Sequence, residues 1–454
     1  MNILSIYTSH DGCMTYIKDN KIIFHTQLDR YNRFKYYSFP VKQTIKELEK
    51  LSIDKILFSS SRNNSMGIWE DLITNSKKLR NIDKHFYNSK HHHLFHAYCA
   101  LTWDKNIENI IVCDGTGAPV TGSLEAERES QYIFKDDKLK HITTEFNQIG
   151  LDYETFTTLT FGHPMACGKT MAFSLHDKGS KKTQKDYEKS MTDLITKWGV
   201  KDNLLFTGGC AQNILYNSKL ISKFKNIFCD PFNGDFGLSL GAANYFLENK
   251  IRNDTVYLGI PQDLDISIFC NYNILDTDTE EVAKILLEDP VAIFQSRSEQ
   301  GQRGLGNRSL LMSPLHKDAT EKLNEIKKRE WFRPFACSIL KEKTKEWFDM
   351  TLDESPHMMY VFDLKKEKEG ILKTGLAIDN KSRIQTVDKN RNLNYYNLIK
   401  SFEKLTQVPI LINTSLNLPE EVLVETMNDL KELFKTSKLK YIYFPEINKL
   451  IKKL

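Results

Sequence analysis

The sequence predicts an α/β fold in two domains, on three observations. Apolar runs with the period of strands alternate with stretches of helical period along the chain. Several of those runs end in Asp or in paired Gly, the pattern of strand ends that face ligands in open α/β sheets. At 454 residues the chain exceeds one ordinary core. The aperiodic stretch Lys250–Asp265 is the expected divide, with one domain over residues 1–255 and another over 265–454.

The first strand is Asn2–Tyr7, which runs into Thr8-Ser9-His10-Asp11-Gly12. Strand patterns at Cys13–Ile17 and Lys21–His25 follow, joined by the turn dipeptide Asp19-Asn20. A strand, a polar Asp-Gly turn and an immediate hairpin resemble the start of actin- and hexokinase-like folds, where turn amides approach a phosphate. Leu28–Tyr36 is basic and aromatic without a period, either a solvated loop or a loop that contacts an anion. Pro40 opens an amphipathic helix carrying Val41, Thr44, Ile45, Leu48 and Leu51 on one face, and a strand over Lys55–Ser60 follows.

Lys90–Ala97 holds four of the chain's 12 histidines. On a helix His92 and His96 stand one turn apart, where two imidazoles can grip one metal ion, while His93 points elsewhere. A polar turn leading into the apolar helix Leu94–Leu101 is the alternative. The buried strand Asn109–Cys113 then ends in Asp114-Gly115, and Asn203–Phe206 ends in Thr207-Gly208-Gly209 before a helix. Asp235 heads the small-residue helix Leu238–Ala243, as a cap or as a metal ligand. Between these, Lys178–Asp186 is expected to be an exposed loop before a helix over Tyr187–Trp198.

The second half carries two compact arginine clusters. Val291–Gln295 is a strand followed by Arg297 and by Gly301-Gln302-Arg303-Gly304-Leu305-Gly306-Asn307-Arg308-Ser309; the other cluster is Lys327-Lys328-Arg329-Glu330-Trp331-Phe332-Arg333-Pro334-Phe335. Guanidinium forks with glycine amides suit phosphates and carboxylates. Leu305, Trp331, Phe332 and Phe335 among them are expected to be buried. The strand Pro409–Ile412 leads into Asn413-Thr414-Ser415-Leu416-Asn417, a set suited to hydrogen-bonding a nucleotide.

Composition excludes several classes. No stretch approaches the roughly 18 apolar residues of a membrane helix, and Met1–Tyr7 is not leader-like, so the cytoplasm is expected. The eight cysteines form no C-x-x-C pair. A net charge of +4 permits a phosphorylated substrate without demanding nucleic acid.

These segments, in this order, resemble the NodU/CmcH family of O-carbamoyltransferases. The likeness runs through His10-Asp11, His92…His96, Asp114-Gly115, Gly208-Gly209…Asn213, Gly234-Asp235, Gly301…Ser309, Lys327…Phe335, Ser355-Pro356 and Asn413…Asn417. It implies an N-terminal domain like the tRNA threonylcarbamoyl transferase, with an actin/hexokinase-like (ASKHA) fold and a divalent metal, followed by a YrdC-like α/β domain. In such enzymes carbamoyl phosphate and ATP, the latter with Mg, give carbamoyl-adenylate and pyrophosphate, and an acceptor hydroxyl then takes the carbamoyl group. By position, His92, His96, Asp235 and Asp114 would hold the metal, iron before zinc or manganese. His10, with Asp11, would be the base for the acceptor hydroxyl. Gly208, Gly209 and Asn213 would cradle the adenylate. Arg303, Arg308, Lys327, Arg329 and Arg333 would neutralise the phosphates, with Ser415 and Asn417 completing the pocket. The chain departs from the family's pattern at Tyr36 (usually His), at Leu376-Ala377 before Arg383-Ile384-Gln385-Thr386-Val387 (usually Thr-His), and at Pro419-Glu420 (usually Arg-Gly). The alternatives are the same chemistry on a hydroxymethylated nucleotide or DNA, and a regulator on the same scaffold that has lost catalysis.

Overall fold

The computed structural model describes residues 1–33, 35, 44, 47–60, 66–117, 126–372, 374 and 380–453. Of the helix expected from Pro40 only residues 44 and 47–51 are described, with Thr44 and Leu48 helical and buried; the departures at Tyr36 and Leu376-Ala377 lie outside the described residues. The chain divides into two compact units, Met1–Leu258 and Gly259–Leu454. No helix among the described residues is long and apolar enough to cross a membrane.

The first unit is built on one plan used twice. Its first sheet comprises β1 (Asn2–Tyr7), β2 (Cys13–Lys18), β3 (Lys21–Gln27), β4 (Lys55–Ser59) and β5 (Asp83–Phe86), in the order β3-β2-β1-β4-β5. The second comprises β6 (Asn109–Cys113), β7 (Glu129–Lys135), β8 (Lys138–Glu145), β9 (Asn203–Thr207) and β10 (Asn226–Cys229), in the order β8-β7-β6-β9-β10. In both, the first three strands are antiparallel and the last two join parallel to the first. Both second hairpins turn on two left-handed residues, Asp19-Asn20 (φ 50° and 62°) and Asp136-Asp137 (φ 50° and 58°). That geometry matches the twist of the flanking strands.

The helices cross over between the sheets. His92–Leu101 follows the first sheet but packs on β6 and β9, whereas Leu238–Phe246 follows the second and packs on β1, β2 and β4. The two helices meet where Gly241 lies against Phe95: a Cβ there would stand 1.9 Å from the Phe95 carbonyl oxygen. Asn244 Nδ2 donates to the Tyr98 carbonyl at 2.8 Å beside it.

One expected loop is a helix. Residues 178–186 form the first half of Lys178–Lys197, which Asp177 caps by accepting from the Ser180 amide at 2.7 Å. Its inward residues there are Ser180 and Gln184, both polar, so no apolar stripe marks the segment.

The second unit is a mixed sheet of nine strands. They are β11 (Asn273–Asp276), β12 (Val291–Phe294), β13 (Arg308–Met312), β14 (Ala336–Leu340), β15 (Val361–Asp363), β16 (Lys381–Val387), β17 (Ile410–Ser415), β18 (Tyr441–Phe444) and β19 (Lys449–Lys452). Their order is β11-β19-β18-β12-β13-β17-β14-β16-β15. Phe294, Leu310, Met312 and Ile412 of the central strands pack with Leu323, Leu430 and Phe434 from helices Ala319–Lys327 and Met427–Thr436. The two arginine segments precede β13 and β14 directly, so the sheet holds both at strand starts.

Candidate metal centre and anion site

His92, His96, Asp114 and Asp235 converge, with one ligand atom from each within 4.8 Å of all the others. The crossed helices account for this: His92 and His96 are a turn apart on one, Asp114 ends β6, and Asp235 opens the 3-10 turn before the other. His92 Nε2 is 3.1 Å from Asp114 Oδ2 and 3.5 Å from Asp235 Oδ1. His96 Nε2 is 3.6 Å from each of the same two oxygens. Gly234 rather than Asp235 holds the N-cap position of that turn, and the Asp235 carboxylate faces the cluster. The other oxygen, Oδ2, accepts from the Tyr7 hydroxyl at 2.6 Å and lies 3.3 Å from His10 Nε2. Two imidazoles and two carboxylates around one point suit a divalent cation. His96 Nε2 is buried and has no hydrogen-bond partner, as an atom waiting for a ligand would. His93, by contrast, pairs Nδ1 with Ser130 Oγ at 2.7 Å.

The charges respond to one another. Burial raises the Asp235 carboxyl, but His10 and His92 outweigh it and bring it down to about 2. Burial likewise lowers His96, while the Asp114 and Asp235 carboxylates, 3.6 Å from its Nε2, carry it up to about 9. His10 is held up to about 10, chiefly by Asp235. Its Nδ1 also faces Asp11 Oδ2 at 3.3 Å, so both ring nitrogens lie against carboxylates. His10 thus links Asp11 and Asp235 in the cation-free structure.

The paired glycines close the same site from β9. Gly208 has φ 85° and a Cβ there would meet the Cys113 carbonyl at 2.3 Å, so only glycine fits. The Gly209 amide donates to Asp114 Oδ1 at 3.2 Å, and so does that of Gly115 at 2.9 Å. Asn213 stands apart from the expected adenylate cradle. Its Oδ1 caps helix Ile214–Leu220 through the Tyr216 amide, and its amide exchanges hydrogen bonds of 2.9 and 3.0 Å with Gln184.

In the second unit Arg303, Arg329 and Arg333 gather, and Arg383 of β16 joins them. Burial, then Arg333, lowers the Arg303 guanidinium to about 10; burial with Arg333 and Arg303 takes Arg329 to about 9. Burial and the other three arginines lower Arg383 well below its usual range. Glu330 pairs with Arg333 at 3.3 Å and offsets part of the charge. Guanidiniums that depress one another in a desolvated loop form an anion site.

Two expected phosphate ligands have other work. Arg308 is fully buried, donates to the carbonyls of Gln295, Asn307, Ser296 and Glu425, and stacks 3.5 Å over the Phe294 ring. Lys327 Nζ donates to the Ser415 and Asn417 carbonyls at 2.6 and 2.7 Å and to Asn417 Oδ1. Each ties a loop down rather than facing a ligand. Ser415 Oγ donates to Asn417 Oδ1 at 2.7 Å and is 3.5 Å from Arg329, so this pair lies at the edge of the arginine cluster. Leu305, Phe332 and Phe335 are buried, but Trp331 is 73% exposed. It stands at the tip of a turn closed by Arg333 N donating to the Glu330 carbonyl, with Phe332 filling the interior instead.

Comparison with known sequences decides the family. The carbamoyltransferase C-terminus model matches residues 282–452 and the carbamoyltransferase N-terminus model matches residues 189–244, together half of the chain. The chain belongs to the carbamoyltransferase family. Membership makes it an enzyme of carbamoyl transfer. An uncharacterised protein of Methanocaldococcus jannaschii is 27% identical, over 93% of this chain and 94% of its own length. The nodulation protein NolNO of Sinorhizobium fredii is 34% identical over 53% of this chain but 38% of its own length. The chain therefore spans well under half of that nodulation protein. Among solved structures, an activator of 2-hydroxyisocaproyl-CoA dehydratase from Clostridium difficile with bound ADPNP has a TM-score of 0.36 at 12% identity, covering 56% of this chain and all of that one. A likeness of that size carries no argument.

Three residues of this carbamoyltransferase's sites were not picked out from sequence. Tyr7 ends a buried strand and carries no motif of its own; Arg383 opens the Arg383–Val387 pattern shared with the family, but nothing in that pattern marks it as an anion ligand. Glu154 lies on helix Ile149–Phe161, a helix without a clear apolar face, and approaches the metal cluster from the Gly115 side.

Proposed function

We propose that the chain is an ATP-dependent O-carbamoyltransferase with its two half-reactions in separate units. Carbamoyl phosphate and ATP, the latter with Mg, would meet at Arg303, Arg329, Arg333 and Arg383; water would cut carbamoyl phosphate to carbamate and inorganic phosphate, and the carbamate oxygen would displace pyrophosphate from ATP to give carbamoyl-adenylate. The first unit would transfer the carbamoyl group to an acceptor hydroxyl. There the backbone at Gly208-Gly209 approaches the adenylate, and a divalent cation held by His92, His96, Asp114 and Asp235, iron before zinc or manganese, supplies Lewis-acid polarisation. The duplicated β3-β2-β1-β4-β5 plan supports an actin/hexokinase-like reading of residues 1–258, and the family resemblance supports a YrdC-like reading of the rest.

One observation carries this reading: among the described residues, the first unit gathers carboxylates with imidazoles and the second gathers guanidiniums, so the two clusters have opposite charge preference. Four mutually repelling guanidiniums need polyanions, and two carboxylates with two imidazoles need a cation. The test is exchange of labelled pyrophosphate into ATP. Exchange that depends on added carbamoyl phosphate is expected; exchange indifferent to it, or absent, would remove the adenylate intermediate.

A further inference from the structure

We propose that Glu154 takes the proton of the acceptor hydroxyl in the transfer step, an inference that rests on the reading above. Helix Ile149–Phe161 is pressed onto the end of β6. A Cβ on Gly150 would lie 2.9 Å from the Asp114 carbonyl oxygen, and a Cβ on Gly115 would lie 2.3 Å from Glu154 Oε1. The bare Gly115 thus leaves room for the Glu154 carboxylate directly beside the residue that follows Asp114. Arg128 fixes this turn by donating to the Gly115 carbonyl and to Thr116 Oγ1.

Four neighbouring carboxylates are engaged. Asp11 and Asp235 hold His10, Asp114 faces His92 and His96, and Glu129 accepts from the amides of Asn147 and Ile149 at 2.9 and 3.1 Å. The Glu154 carboxylate has neither a hydrogen bond nor an ion pair among the described residues. A half-buried carboxylate on the wall of a cation site, with no partner of its own, is placed to receive one from a substrate. His10, the other candidate, has both ring nitrogens against carboxylates.

The charged groups around Glu154 are Asp114 after β6, His10 after β1, Arg128 before β7 and Asp235 before helix Leu238–Phe246. Burial, then Asp114, pushes its carboxyl up to about 7, with His10 and Arg128 opposing. A base of that strength holds a proton transiently near neutrality. In the step, the proton passes from the acceptor O–H to Glu154, and the acceptor oxygen bonds to the carbamoyl carbon. The bond from that carbon to the adenylate phosphate oxygen breaks, and AMP leaves with the electron pair.

The experiment gives the full chain ATP and carbamoyl phosphate, with water and excess glycerol as the acceptor hydroxyls, and follows pyrophosphate and AMP together. Glu154→Gln should still release pyrophosphate, accumulate carbamoyl-adenylate, and form AMP at least ~100-fold more slowly. Wild-type AMP formation should fall toward acid pH, Glu154→Gln should lose that limb, and Glu154→Asp should recover part of the rate. AMP formation within a few-fold of wild type in Glu154→Gln, or an unchanged acid limb, would overturn the assignment. So would a wild-type chain that makes carbamoyl-adenylate and never turns it over. Absence of pyrophosphate from wild type would instead overturn the donor chemistry, and this step with it.

Discussion

Asp235 turns Oδ1 toward His92 and His96 and Oδ2 toward Tyr7 and His10, so one side chain joins the cation site to a proton network. In the cation-free protein, positive charge comes from the imidazoles themselves. His96 is raised from 6.5 to about 9, so its pairing with Asp114 and Asp235 stabilises the fold fully below pH 6.5 and is lost as pH rises through about 9. Chelator-treated wild type should therefore exceed His96→Gln in thermal midpoint at pH 6.5, and the gap should close by about pH 9. A gap constant with pH in paired melting curves would contradict this. Metal loading should work the other way, since a ligating imidazole must shed its proton, and calorimetry in two buffers should register proton release. Arg308 and Arg303 make a second residue-scale contrast. Arg308→Ala takes its donor from the Gln295 and Glu425 carbonyls, while those of Asn307 and Ser296 keep backbone donors, and should cost several kcal/mol of stability, at about 1–3 kcal/mol per orphaned group. Arg303→Ala should leave the urea midpoint nearly unmoved and abolish pyrophosphate release.

At the scale of elements, the metal centre depends on two helices crossing at Gly241. Alanine in a helix usually stabilises by up to about 1 kcal/mol over glycine, but here its Cβ would sit 1.9 Å from the Phe95 carbonyl oxygen. The clash decides the sign. Gly241→Ala should destabilise by about 1–3 kcal/mol in urea unfolding and weaken metal binding, because the helix bearing His92 and His96 must shift. The strands were legible where Ile and Val run together, as at Asn109–Cys113 and Asn2–Tyr7, since a buried run leaves few alternatives. Lys178–Asp186 was not, because its helix turns Ser180 and Gln184 inward and leaves lysines outside. The candidate metal ligands were legible from spacing and family pattern, as was most of the arginine cluster. The roles of Asn213, Arg308 and Lys327 were not: a side chain that caps a helix or pins a loop has the same letters as one that binds a ligand. Arg383 was not marked as an anion ligand because a single arginine in a strand has no period.

At the scale of the whole molecule, two units carry two sites with no shared residue. A chelator that strips the cation should therefore stop AMP formation and spare pyrophosphate release measured with Mg resupplied for ATP. The most direct test of this division is pyrophosphate release from ATP and carbamoyl phosphate by wild type, Asp235→Asn and Arg303→Ala side by side. Retention in Asp235→Asn with loss in Arg303→Ala is the predicted result. Loss in Asp235→Asn, with the protein folded, would contradict it.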